Sequence, residues 1–346
     1  MKPDKNIYRF VISTPSRFVG EYSKKIFIGH FWDFENTTQY SVTENPYSKN
    51  YYVISINRPV GRNPRITTNL PNMYNVDGNE IMLIMAVLYG KTFFFNGEIQ
   101  AGEFLTKPFI DINRPLNSYK WHFNSHKKRI DTNFNLNFAE LTNVEHIINK
   151  VGKSRPKYHT TFFNASNLYS RALQNFEHHP DLAFIDLVSA GEILTANFKI
   201  NEKTIQDIEL ENLFKRIRNN CKSASEILEL LKLKAYNIRN KFSNGLFNFL
   251  DDNFFKYTYS GNKDWAINKE NILICLKATY DLRSQIVHSG MALGKIINVN
   301  NLDSEIFSVF PAEASKEKFK LLSKSLNFLG LERVIRYSLL KLIKVI

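Results

Sequence analysis

The sequence predicts an α+β protein, with a β-rich N-terminal domain over residues 1–150 and an all-helical domain over residues 151–346. Two observations carry that expectation. The first part of the chain is written in short β-branched and aromatic runs separated by turn formers, which is the pattern of strands. From Val144 onward, apolar residues recur at three or four positions, the period of amphipathic helices.

Four N-terminal segments read as strands: RFVGEY (17–22), KIFIGHFW (25–32), NYYVISI (50–56) and KTFFF (91–95). The Pro, Gly and Asn content of Asn57–Arg65 and Asn75–Glu80 predicts loops. The run from Asn79, NEIMLIMAVLYG, is a buried strand or a short helix, and its periodicity does not decide between them. In the second domain FFNASNLYSRALQNFEHH (162–179) predicts a helix, punctuated by Pro180. The next is DLAFIDLVSAGEILTANF, with Leu182, Ile185, Val188 or Ser189, Glu192 and Ala196 at helical spacing. Ser223 followed by Glu226 is a capping-box pattern that opens another helix. NKENILICLKATYDLRSQIVHSG (268–290) reads as a long helix stopped by Gly290. A basic amphipathic helix closes the chain, since residues 316–346 hold eight Lys and Arg against two acids.

Composition narrows the function classes. The net charge is +13, and a basic balance of this size suits a polyanionic partner. The excess is spread: residues 1–150 hold 18 Lys and Arg against 13 Asp and Glu, and the remainder holds 28 against 20. The two cysteines, Cys221 and Cys275, exclude a disulfide framework and an all-Cys zinc site. The N-terminal residues have no apolar core of a secretory signal. The longest apolar run, Ile81–Tyr89, is too short to span a bilayer. A reducing cytoplasm is the expected location, with no membrane attachment.

The stretch YDLRSQIVHSG (280–290) carries the chemistry. Leu282 and Ile286 form an apolar i, i+4 pair that points inward. Arg283 and His288 lie about 140° apart around an ideal helix, so a groove or a second copy of the helix is needed to gather them. A guanidinium offers a planar, permanently charged fork that matches phosphate oxygens. An imidazole titrates near neutrality and exchanges the proton that RNA cleavage requires. The Ser284 hydroxyl is placed to fix the phosphate or the histidine. None of these roles needs a metal.

This stretch resembles the Arg-to-His motif of the HEPN superfamily, and specifically its ApeA-like (RNase LS-like) branch. Tyr280, Arg283, Ser284 and His288 match that pattern, while its glycine stands one place later, at Gly290. DLAFIDLVSAGEIL, with the acidic Glu192, is similar to that branch's early helix, and LGLERVIRYSLL (329–340) to its closing one. The resemblance covers the helical domain from about residue 155 and not the N-terminal domain. It implies a helical bundle and a metal-independent endoribonuclease acting as a homodimer, with RNA as substrate and no cofactor. Arg283 would grip the scissile phosphate, His288 would act on the 2′-hydroxyl or the leaving oxygen, and Ser284 would position one of them. Tyr280 and Glu192 would support the site. The products would be a 2′,3′-cyclic phosphate and a 5′-hydroxyl. The setting implied is prokaryotic antiviral defence, abortive infection or toxin-type growth arrest. The N-terminal domain would sense a trigger or restrain the nuclease, through a protein activator or inhibitor. The tyrosine that a partner enzyme modifies in some HEPN toxins is replaced by Gly290, which puts that form of control in doubt.

Other readings stay open. The same basic surface suits a HEPN dimer that binds RNA or protein without cleaving, and the basic tail alone raises a membrane-attached effector. Glu192 pairs with Arg283 either to orient it or as a purely structural contact. His122 and His126 have zinc-clamp spacing but no third ligand, and read as ordinary surface histidines. His178 and His179 read as a frayed helix end. Gly97 and Gly102 match no phosphate loop. The basic patches GRNPR (61–65) and SHKKR (125–129) read as exposed loops, and the tail as a helix with a solvated lysine face.

Overall fold

A computed structural model describes residues 7–24, 26–31, 49–57, 70–101, 104–105, 121–132, 134–141, 156–196, 208–221, 223–228, 238–290, 292, 296, 303–311 and 314–345. The chain forms two compact units, residues 1–186 with 339–346, and residues 187–338. The patch GRNPR and the connector around residue 150 lie outside the described residues.

The first unit is built on a six-stranded sheet in the order β2-β3-β4-β1-β5-β6. The strands are β1 (Ile7–Thr14), β2 (Tyr22–Ser23), β3 (Ile26–His30), β4 (Asn50–Asn57), β5 (Phe94–Ala101) and β6 (Phe104–Leu105). Every pairing is antiparallel. Strand β1 sits between β4 and β5, and its last five residues, Phe10–Thr14, are all buried. The helix α1 (Leu70–Tyr89) packs against β5 and against α2 (Pro156–Asn175). Phe18, Tyr52, Tyr89, Phe93 and Phe138 fill the core, with Phe18 stacked on Phe138 at 4.9 Å.

The apolar run from Asn79 is helical, and so is Asn75–Glu80, contrary to the loop expected there. The reason is Gly78. A Cβ at that position would lie 2.7 Å from the rings of Phe10 and Phe95. The glycine allows a helix to lie close on a sheet and does not make a turn. A second correction concerns RFVGEY. It contributes a bridge from Val19 to Asn137 and the start of β2, not a strand of its own. The segment NGEIQ belongs to β5.

The second unit contains the end of α3 (Pro180–Thr195), α4 (Ile208–Asn220), α5 (Ile238–Phe249), α6 (Ile272–Ser289), α7 (Lys316–Leu322) and the start of α8 (Phe328–Val345). The tail is therefore two helices where one was expected. Between them the backbone pairs with residues 305–307: Phe307 N–H donates to Ser325 O and Asn327 N–H to Glu305 O. Asn327 then opens α8, its side-chain oxygen accepting from Gly330 N–H at 2.9 Å, as a helix cap does.

The tail's lysines do form a solvated face, with Lys316, Lys320, Lys324 and Lys344 exposed, but its two arginines do not share it. Every residue from Phe328 to Arg336 is buried. Arg333 donates to Glu305 at 2.7 Å and to the carbonyls of Phe254 and Tyr257, and lies over the Phe254 ring. Glu305 also accepts from Thr258 Oγ1, Tyr259 N–H and Ile267 N–H. These charges build the core of the second unit. No helix among the described residues is long and apolar enough to cross a membrane.

Candidate active site

Helix α6 sets the geometry. Ile272, Cys275, Leu276, Thr279, Leu282 and Ile286 are buried, so the apolar stripe faces the bundle and the other side is left for polar groups. Thr279 locks the helix in place, donating to Cys275 O and accepting Leu326 N–H. Burial pushes the Cys275 thiol up to about 12, so it stays protonated within the core. Gly290 ends α6 in the left-handed conformation, φ 65°, which a glycine adopts without penalty.

Glu192 reaches α6 from α3. Its neighbour Gly191 explains how: a Cβ there would lie 2.5 Å from Phe242 Cε2 and 3.0 Å from Ile335 Cδ1. The missing side chain lets α3 approach α5 and α8, and Glu192 is carried in beside it. Its Oε2 lies 3.5 Å from an Arg283 terminal nitrogen, with the two side chains 23% and 21% exposed. Burial pushes the Tyr280 hydroxyl above its ordinary range, and the Glu192 charge and hydrogen bond add to that shift. The Glu192 carboxylate thus lies close enough to favour the protonated Tyr280 hydroxyl. Its ring lies 5.5 Å from that of Phe242.

Tyr280, Glu192 and Arg283 are therefore brought together within one chain. Ser284 is half-buried and His288 is exposed in the last turn. Arg283 and His288 are five residues apart on a continuous helix, about 7.5 Å along its axis and on different sides. The Arg283 Nε is buried without a hydrogen-bond partner, so the guanidinium is only partly satisfied by Glu192.

Sequence reasoning passed over Arg239. It lies on α5 and its terminal nitrogen is 2.6 Å from Asp281 Oδ2. Asp281 is inside the quoted stretch, yet nothing local signals a partner 42 residues away.

The chain matches no protein-family model, no curated protein and no solved structure.

The remaining signals resolve differently. His126 is half-buried, and its Nδ1 accepts Arg17 N–H at 3.1 Å. It is part of the fold, where a surface residue was expected. In SHKKR, Arg129 is buried and donates to Gly90 O. The buried Lys91 ammonium donates to the carbonyls of His122, Ser125 and Lys127, each at 2.7 Å. His178 and His179 follow the end of α2 in a turn. Among the described residues no group of three His, Cys, Asp or Glu side chains is arranged to hold a metal ion.

Proposed function

We propose that the chain is a HEPN-type endoribonuclease, acting as a homodimer by general acid–base chemistry without a metal. The observation that carries this reading is the Arg283 guanidinium held beside Glu192 on the helix that ends in an exposed His288. A cation fixed by a carboxylate and still exposing donors suits a phosphate.

Each side chain takes a defined part. His288 removes the proton from a ribose 2′-hydroxyl, and that oxygen attacks the adjacent phosphorus. The bond from phosphorus to the 5′-oxygen breaks, and the leaving oxygen takes up a proton. Arg283 binds the phosphate oxygens as charge builds on them. Ser284, between the two in sequence, donates a hydrogen bond to the phosphate or the histidine. The separation of Arg283 from His288 around α6 is what asks for two copies, each helix supplying groups to a shared cleft. We assign the cytoplasm as the setting, from the two unpaired cysteines, and antiviral defence or growth arrest as the role, from the motif's resemblance. The sheet-bearing unit would then receive the protein signal that releases or restrains cleavage.

Incubating the purified protein with labelled RNA in EDTA tests this. Cleavage leaving 2′,3′-cyclic phosphate ends is expected, with a loss of about 10²- to 10⁴-fold in His288→Ala and a comparable loss in Arg283→Ala. Cleavage that survives both substitutions, or that depends on magnesium, overturns the reading. Binding without cleavage makes the chain an RNA-binding module.

A further inference from the structure

Lys277, Asp281, Ser284 and His288 stand at i, i+4, i+7 and i+11 on α6, so they line one strip of the helix. Each is half-buried or exposed. Arg283 lies round the helix from this strip, with Tyr280 and Val287. The strip holding His288 thus lacks the arginine that the motif supplies. Helix α5 provides one. It packs on α6, and Arg239 reaches Asp281 in the middle of the strip at 2.6 Å. One helical turn further along α5, Phe242 contacts the Tyr280 ring and fixes the register.

The pair is built to present the arginine. Arg239 and Asp281 are 36% and 39% exposed, and an ion pair that open adds little stability. One terminal nitrogen meets Asp281 and the Nε is buried without a partner. Lys277, on the same strip, adds a second positive charge. Asp281 offsets only one of the two.

We infer that Arg239 is a second phosphate-binding residue, gripping a backbone phosphate that flanks the scissile linkage on the His288 face of α6. This rests on the ribonuclease reading above and adds to it where the RNA strand runs. Asp281 and His288 are two turns apart, about 10 Å along the axis. Arg239 therefore takes a neighbouring phosphate and not the reacting one.

The test is RNA binding by full-length protein carrying His288→Ala, followed by fluorescence anisotropy of a labelled single-stranded RNA across a salt series. Each phosphate contact on a single strand contributes about 0.7 to the slope of log affinity against log salt. Adding Arg239→Ala is expected to weaken binding and make that slope shallower by about 0.7. Adding Asp281→Asn, which breaks the ion pair and keeps the guanidinium, is expected to leave the slope unchanged. If Arg239→Ala does not fold, Arg239→Gln makes the same comparison. An unchanged slope in the Arg239 variant, beside a shallower one in Arg283→Ala, overturns the inference and leaves the ribonuclease reading standing. Equal losses in the Arg239 and Asp281 variants make the pair structural and also overturn it. If the His288→Ala parent binds no RNA, both fall together.

Discussion

The Glu192 carboxylate lies 3.5 Å from the Arg283 guanidinium, and its charge adds to the burial that keeps the Tyr280 hydroxyl protonated. One acidic side chain thus holds a cation and a phenol on two successive turns of α6. The contact joins residues 91 positions apart in the chain, and it exists because Gly191 lets α3 come close.

Removing that carboxylate should disturb both partners. Glu192→Gln keeps the shape and loses the charge, so Tyr280 should titrate closer to an ordinary tyrosine. Ultraviolet titration of the variant against the same variant with Tyr280→Phe isolates that one phenol. RNA cleavage by Glu192→Ala should fall by about 100-fold, the usual cost of a misplaced binding group, with Glu192→Gln losing less. A Tyr280 titration unmoved by Glu192→Gln would show that the contact does not form in solution.

Gly191→Ala sets two effects against each other. Alanine favours a helix over glycine by about 1 kcal/mol. The added methyl, 2.5 Å from Phe242, overpacks the core, at about 1–3 kcal/mol. The expected outcome in urea unfolding is a net loss of about 1 kcal/mol, relieved in part by adding Phe242→Leu. A more stable Gly191→Ala would mean that α3 is not confined there.

Much of α6 was legible in the sequence because its signals are local. The apolar period places Leu282 and Ile286 inward, and Gly290 supplies the only residue type that stops a helix in the left-handed region cheaply. The facing of Glu192 and Arg283 was legible as a possibility, since an acid on an apolar helix face needs a cation. What escaped has distant causes. Strand β1 has consecutive buried residues because it is central in the sheet, so it lacks the alternation that marks a half-exposed strand. Gly78 looks like a turn former until Phe10 is known to lie against it. Arg333 looks solvated because its carboxylate is 28 residues upstream.

Arg333→Met tests that last pairing. It leaves Glu305 fully buried without its cation, a loss expected to cost about 3–5 kcal/mol. Adding Glu305→Gln to Arg333→Met should recover part of it, since the buried charge is then gone. Urea unfolding of the two variants measures the difference. A cost under about 1 kcal/mol would place the pair among exposed ion pairs.

Two groups of the sheet-bearing unit make its stability depend on pH with opposite signs. His126 is neutral, accepting Arg17 N–H, and burial, then the charges of Arg17 and Lys91, hold its pKa below the ordinary 6.5. The unfolded chain therefore binds this proton first, and stability drains as pH falls below 6.5. Glu98 is the reverse. Burial pushes its carboxyl from 4.5 up to about 7, so the folded chain binds the proton first, and stability falls as pH rises from 4.5 to about 7. His126→Asn, which keeps an acceptor for Arg17 N–H, should therefore flatten the loss on acidification. Glu98→Gln, which mimics the protonated carboxyl, should steepen it. Thermal unfolding followed between pH values on either side of these pKa values reads both effects, and identical profiles for the two variants would refute the assignment.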